Sequence, residues 1–170
     1  VKIAISQEEQ LRAAEVALKR IKEINGRPDH GSRYDTNLTI VQYIAQITES
    51  IGAEIAAAKA LGMTGFDPAM SRFKQTADVG SMIEVKHTTW DDGSLIIHSS
   101  DRNTDVAILV VGRMPKYRIA GWIPVAIAKK DRYRHHKQPN WWISQQNLQP
   151  IENLYRSQYA DAARVSLQGL

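Results

Sequence analysis

Asp78, Glu84 and Lys86 are set into a stretch, ADVGSMIEVKHT (77–88), whose other residues suit a protein core. Val79, Met82, Ile83 and Val85 favour burial, and the β-branched residues favour a strand. Side chains alternate along a strand, so Ile83, Val85 and His87 point one way while Glu84 and Lys86 point the other. A hairpin with Gly80 in its turn sets Asp78 beside Glu84, and carboxylates at that range repel unless a proton or a cation stands between them. The chain has no cysteine, so the oxygen ligands point to magnesium or manganese rather than zinc. Such an ion polarises a phosphoryl oxygen and lowers the pKa of a bound water. The Lys86 amine can hold or deprotonate that water, or neutralise the crowded phosphorus intermediate. The stretch therefore reads as a metal-dependent site for cleaving phosphodiesters. The plainer alternative is a surface Glu–Lys pair beside a turn aspartate, each contact worth well under about 1 kcal/mol.

A third carboxylate comes from the element expected just upstream. Positions 40, 44, 47, 51, 54, 58 and 61 share one helical face and read Ile, Ile, Ile, Ile, Glu, Ala, Leu. Glu54 is the single charge in that stripe. The small residues of GAEIAAAKALG around it let the helix backbone approach a sheet closely, which would aim Glu54 at the other two acids. The alternative is that Glu54 snorkels to the rim of the core. Glu49 lies off the stripe and is expected in solvent. This second helix should be capped by Thr36 or Asn37 and end near Leu61–Gly62, with glycine at the C-terminal cap.

The remaining elements must hold this arrangement in place. Ser6, followed by Glu8 and Glu9, starts a first helix with its apolar face at Leu11, Ala14, Leu18 and Ile21. Residues 24–35 read as a loop. Five strands are expected: 72–78, Met82 to Trp90, LIIHS after a tight DDGS hairpin turn, VAILVVG at 106–112, and YRIAGWIPVAI at 117–127. The almost wholly apolar 106–112 belongs in the middle of a sheet, buried on both faces. The last residues are poorly periodic until a helix expected at 152–166.

At 170 residues with 43% hydrophobic and 24% charged content, the chain suits one domain, 1–170. It divides into an N-terminal helix and loop (1–35), a core carrying the acids (36–127), and a basic loop and tail (128–170). No apolar run approaches the roughly 18 residues of a membrane span and no secretory signal pattern opens the chain, so no membrane partner and a cytoplasmic location are expected. The net charge is +4, concentrated in KKDRYRHHKQ. Lys129, Lys130, Arg132, Arg134 and Lys137, interleaved with Tyr133, suit a polyanion such as DNA, a solvated loop being the alternative.

The spacing of Asp78, five residues, then Glu84-Val85-Lys86 resembles the D…(D/E)-x-K signature of the PD-(D/E)xK nuclease superfamily, the restriction-endonuclease-like fold. The similarity extends over residues 36–127, where ADVG, IEVKHT, DGSLIIHSSD, VAILVVG and YRIAGWI look most like small phage-type nucleases of that superfamily. The resemblance implies an α/β fold with a mixed central sheet of about five strands flanked by helices. It implies Glu54, Asp78, Glu84 and the Val85 carbonyl as metal ligands, Glu54, Asp78, Glu84 and Lys86 as catalytic residues, Mg2+ or Mn2+ as cofactor, and DNA as substrate. Endonuclease activity is preferred over exonuclease, in a host cytoplasm if the chain is phage-encoded. Double-strand cleavage in such nucleases commonly uses a homodimer, to which the first helix or the tail could contribute. Ala77 replaces the usual proline before Asp78. The superfamily also places a helix after the third strand, whereas only about six residues, SDRNTD, follow LIIHS here. Either that helix shrinks to one turn or the third and fourth strands pair antiparallel.

A non-catalytic DNA-binding or assembly protein on the same fold is the alternative function, and a hydrolase for a small phosphoester a weaker third. His87 is expected in the core or behind the site. His98, His135 and His136 lack ligand spacing. Trp122 reads as core, and Trp90 either stacks on a base or caps the sheet edge. Arg102 and Arg113 could meet phosphate.

Overall fold

The computed structural model describes residues 1–23, 38–63, 65–70 and 77–163. Ser6 opens the first helix, α1 (Gln7–Glu23). Its hydroxyl accepts the Glu9 amide at 3.1 Å while the Glu9 carboxylate accepts the Ser6 amide at 2.6 Å, satisfying two donors that a helix start leaves bare. The buried face of α1 is Ala13, Val16, Ala17 and Ile21. Leu11 and Leu18 turn outward, 60% and 43% exposed, because the alanines let α1 lie close against its neighbour.

That neighbour is α2 (Ile40–Ala60), capped by Thr39, whose hydroxyl accepts the Gln42 amide while the Gln42 side chain accepts the Thr39 amide. The expected caps Thr36 and Asn37, like the loop at 24–35, lie outside the described residues. At the other end Gly62 takes the left-handed conformation, φ 67°. Its amide donates to Lys59 O and the Met63 amide to Ala58 O, the double closure that favours glycine there. From Ile51 to Ala58 every residue of α2 is buried. Small side chains make that possible, since α2 is packed between α1 and the sheet.

The sheet has four strands in the order β1 (Lys2–Ala4), β5 (Lys116–Pro124), β4 (Val106–Arg113) and β2 (Ile83–Thr88). β5 is antiparallel to both neighbours, whereas β2 and β4 are parallel. A second sheet pairs β3 (Leu95–His98) with β6 (Asn140–Ile143). The apolar β4 serves both cores, as its sequence demanded. Val106, Ile108 and Val110 pack toward α1 and α2, and Ala107, Leu109 and Val111 pack with Leu95, Ile97 and Ile143 of the second sheet. The class is mixed α/β, with two sheets rather than one of five strands. Among the described residues no helix is long and apolar enough to cross a membrane.

Several expectations change. DDGS does turn, with the Gly93 amide on Trp90 O, but it joins no paired strands, because β2 pairs with β4 and β3 with β6. Parallel neighbours need a crossover of a dozen residues or more, and residues 89–105 supply it by laying β3 across the sheet face. Neither a short helix nor antiparallel pairing of β3 with β4 is used. Residues 72–76 of the expected first strand lie outside the described residues, and Ala77 and Asp78 are not in a strand. The fifth strand ends at Pro124 and continues as the short helix α3 (Val125–Ala128). Over the described part of the helix expected at 152–166 there are instead two 3-10 segments, Ile151–Arg156 and Ala160–Ala163, and residues 164–166 lie outside the described residues.

The C-terminal segment is tied down at one close approach. Trp122 and Gln149 exchange both backbone hydrogen bonds at 2.9 Å, and the Trp122 indole donates to Pro150 O at 2.9 Å. Gly121, φ 152°, sits under this contact, and a Cβ there would meet Gln149 O at 2.6 Å. Neither the conformation nor the space suits a side chain. Gly121→Ala is expected to lower unfolding stability by about 2 kcal/mol in a urea titration; an unchanged midpoint would mean the segment is not held there.

Candidate functional site

The site begins with a turn. Val79 and Ile83 exchange backbone hydrogen bonds of 3.0 and 3.2 Å across Gly80, Ser81 and Met82, with Gly80 at φ 60°. This single bridge, rather than a full hairpin, folds Asp78 back to the start of β2. Asp78 Oδ2 then accepts the Val85 amide at 2.8 Å. Asp78 keeps part of its surface open, yet burial is the largest influence on its carboxyl. Burial and the charges of Glu84 and then Glu54 push its pKa up to about 8, against the opposing Val85 hydrogen bond and Lys86 charge. Asp78 is thus close enough to feel the charges of both Glu84 and Glu54.

Glu54 does not snorkel. It is 6% exposed in the buried half of α2. Its two oxygens face the Arg20 guanidinium, Nη1 to Oε1 and Nη2 to Oε2 each at 3.3 Å, and Arg20 Nη2 also donates to Pro68 O at 2.9 Å. The fork geometry suits a carboxylate. Glu84 has a different counterion. Lys86 Nζ lies 2.9 Å from Glu84 Oε1 and 3.0 Å from Asp101 Oδ2. Burial presses the Lys86 pKa down, but the two carboxylates outweigh it, so the amine is held above its usual range and stays charged. The His98 amide fixes Asp101 Oδ2 at 2.8 Å.

Arg20 and Asp101 were absent from the sequence reading as partners of the acids. Arg20 gives no sequence signal, because its partner is 34 residues away on another helix. Asp101 follows directly on β3, and its reach to Lys86 depends on β3 lying across the sheet.

The basic segment adjoins the site. Lys129 Nζ donates to Ser99 O at 3.1 Å and to Asp101 O, so it pins the turn carrying Asp101 rather than standing ready for a ligand. Lys130, Arg132, Arg134 and Lys137 are exposed. Arg132 lies 4.6 Å over the Tyr133 ring and Arg134 5.5 Å over Trp141. Arg102 is taken up by buried Asp105 at 2.8 Å and by Ser81 O. His87 Nε2 donates to Gly112 O, 2.9 Å away, with Tyr117 edge-on at 5.8 Å, so its ring is satisfied against β4 and β5. Glu49, expected in solvent, instead accepts the Tyr117 hydroxyl at 2.9 Å and the Met114 amide at 3.0 Å, which fastens α2 to the turn between β4 and β5.

Among the described residues no three Asp, Glu or His side chains form a ready cation cage. The Glu54 carboxylate is turned to Arg20 and that of Glu84 to Lys86. The donor chemistry nonetheless fits a hard divalent ion: carboxylate oxygens, one on an aspartate whose negative form its neighbours disfavour. No family model, curated protein or solved structure matches the chain.

The crowding has a measurable sign. Asp78 titrates near 3.8 unfolded and about 8 folded, so between those values the native state holds a proton that the unfolded chain has lost. Stability in EDTA should fall as pH rises from about 4 to about 8 and level off above. Asp78→Asn, which keeps an acceptor for the Val85 amide, should remove that slope. Magnesium or manganese should raise the thermal midpoint of the wild type more at pH 8.5 than at pH 5. Parallel pH profiles for wild type and variant would contradict this.

Proposed function

We propose that the chain is a magnesium- or manganese-dependent nuclease that hydrolyses DNA phosphodiester bonds, of the restriction-endonuclease-like PD-(D/E)xK kind. One observation carries the reading: Asp78 feels the charges of both Glu84 and Glu54 while Lys86, on the same strand as Glu84, presents a charged amine beside them. A protein that only binds DNA gains nothing from carboxylates gathered against phosphate. The order α2 with its buried glutamate, the Asp78 turn, then β2 with Glu-x-Lys also supports the fold family. The strand crossover through β3 departs from the helical one that the family usually has.

Glu54, Asp78, Glu84 and the Val85 carbonyl would hold the ion, which when bound supplies Lewis acidity and a water of lowered pKa. The Val85 amide orients Asp78. Lys86, steadied between Glu84 and Asp101, donates hydrogen bonds to the attacking water or to the phosphate oxygen on which charge builds. Lys130, Arg132, Arg134 and Lys137, with Tyr133, contact backbone phosphates and fix register without reading sequence. The reading favours endonuclease over exonuclease, a cytoplasmic protein and, for double-strand cleavage, a homodimer.

A DNA-binding protein without catalysis is favoured by one observation, the two-pronged Arg20–Glu54 pair, which sets a resident cation against the ligand role of Glu54. Incubating plasmid, single-stranded and branched DNA with magnesium or with EDTA separates the two readings. Lys86→Ala is expected to lower the cleavage rate at least about a hundredfold while DNA affinity in EDTA changes little. Cleavage by that variant at the wild-type rate would remove Lys86 from the mechanism.

A further inference from the structure

A groove of about 1180 Å³ opens directly beside Lys86, between the first half of α2, the end of β2 and the strand β3. Its walls include Lys86, Trp90, His98, Arg113, Gln46 and Trp142. The volume exceeds the roughly 300–1,000 Å³ of ordinary small-molecule pockets, so the shape suits a segment of polymer rather than one compact ligand.

Trp90 is the feature that needs explaining. It is 73% exposed, so it does not cap the sheet edge. It is nevertheless on an ordered turn: its amide donates to Thr88 Oγ1 at 3.2 Å and its carbonyl accepts the Gly93 amide at 3.0 Å. Beneath Gly93 there is no room for a side chain, since a Cβ would meet Thr88 Cγ2 and Oγ1 at 2.7 Å. Gln145 braces the same turn through Asp91 O and Gly93 O at 2.8 and 2.9 Å.

Trp142 is fixed as well. Its indole donates to Asn140 at 2.8 Å, and its ring lies 4.7 Å from His135, which stacks on His136. The groove therefore carries two indoles whose backbones are held, with Arg113 exposed nearby. Of the acids that line it, Glu49 is occupied by Tyr117 and Met114, and Asp92 stands exposed on the turn.

An exposed, backbone-fixed indole offers a flat face to a base. Bases inside a duplex already stack on each other, so an unpaired nucleotide uses it without the cost of unstacking. We infer that this groove binds unpaired nucleotides, with Trp90 as the stacking platform, so that the substrate is DNA with a single-stranded segment next to the scissile phosphate. As a statement about substrate it rests on the nuclease reading, through the shared residue Lys86; as a statement about binding it is measured without metal.

The test uses the full chain in EDTA, with fluorescence anisotropy of a labelled oligothymidylate and of a labelled blunt duplex of equal length. The wild type should bind the single strand more tightly. Trp90→Ala should weaken that binding about tenfold, within the range for losing one base stack, with Trp90→Phe close to wild type and both variants melting like wild type. Equal affinity of wild type and Trp90→Ala for the single strand would overturn the inference, as would wild-type preference for duplex or no binding at all. Cleavage is scored separately with magnesium. Single-strand binding without any cleavage sinks the nuclease reading and leaves the groove standing. Duplex cleavage with no effect of Trp90→Ala on single strands does the reverse.

Discussion

Like charges gathered at the start of one strand set the terms for the rest of this molecule. Carboxylates near enough to hold one another's protons repel, and a domain typically stable by only about 5–15 kcal/mol must compensate them. The structure answers each acid separately. Arg20 faces Glu54, Lys86 lies between Glu84 and Asp101, and the Val85 amide takes Asp78. Asp78 alone is met by an amide and not by a full positive charge of its own, and burial then decides that its proton is held to about pH 8.

The elements around the site follow from that requirement. An eight-residue run of α2, Ile51 to Ala58, is buried on every side, and only glycine, alanine and isoleucine around Glu54 allow a carboxylate to sit so deep. The second sheet is more than a cover for β4. By crossing from β2 to β4 through β3, the chain brings Asp101 to Lys86, so the amine is held from two sheets at once.

What could be read in the sequence was local, and what could not was distant. Asp78, Glu84 and Lys86 are joined by a five-residue turn and strand alternation, both of which are patterns of neighbouring residues. Glu54 was legible from helical periodicity. Arg20 and Asp101 reach their partners only through tertiary packing, and no spacing announces them. The outward turn of Leu11 and Leu18 has the same origin: close approach through Ala13 and Ala17 outweighed the larger apolar side chains. LIIH reads identically whether it joins the first sheet or founds a second, since burial on alternate sides is the same in both. β6 was hidden because Trp141 and Trp142 are half-buried neighbours, which shows no alternation at all.

The basic segment is better described as a surface than as a loop. Lys129 and Arg134 lie 5.9 and 5.5 Å from the Trp141 ring, and Arg132 lies over Tyr133. Trp141 makes these contacts while its buried indole N–H has no hydrogen-bond partner among the described residues. Its position is therefore governed by its faces and by the pairing of β6 with β3 rather than by its polar atom. Lys129 is committed to the Asp101 turn, whereas Arg132 and Arg134, stacked on rings, would lose less freedom on meeting a phosphate than cations on free side chains. Because β6 pairs with β3, and β3 ends in the turn that carries Asp101, the charged surface and Lys86 belong to one braced piece. Under the proposed function, a backbone held by the first would be presented in a fixed register to the second.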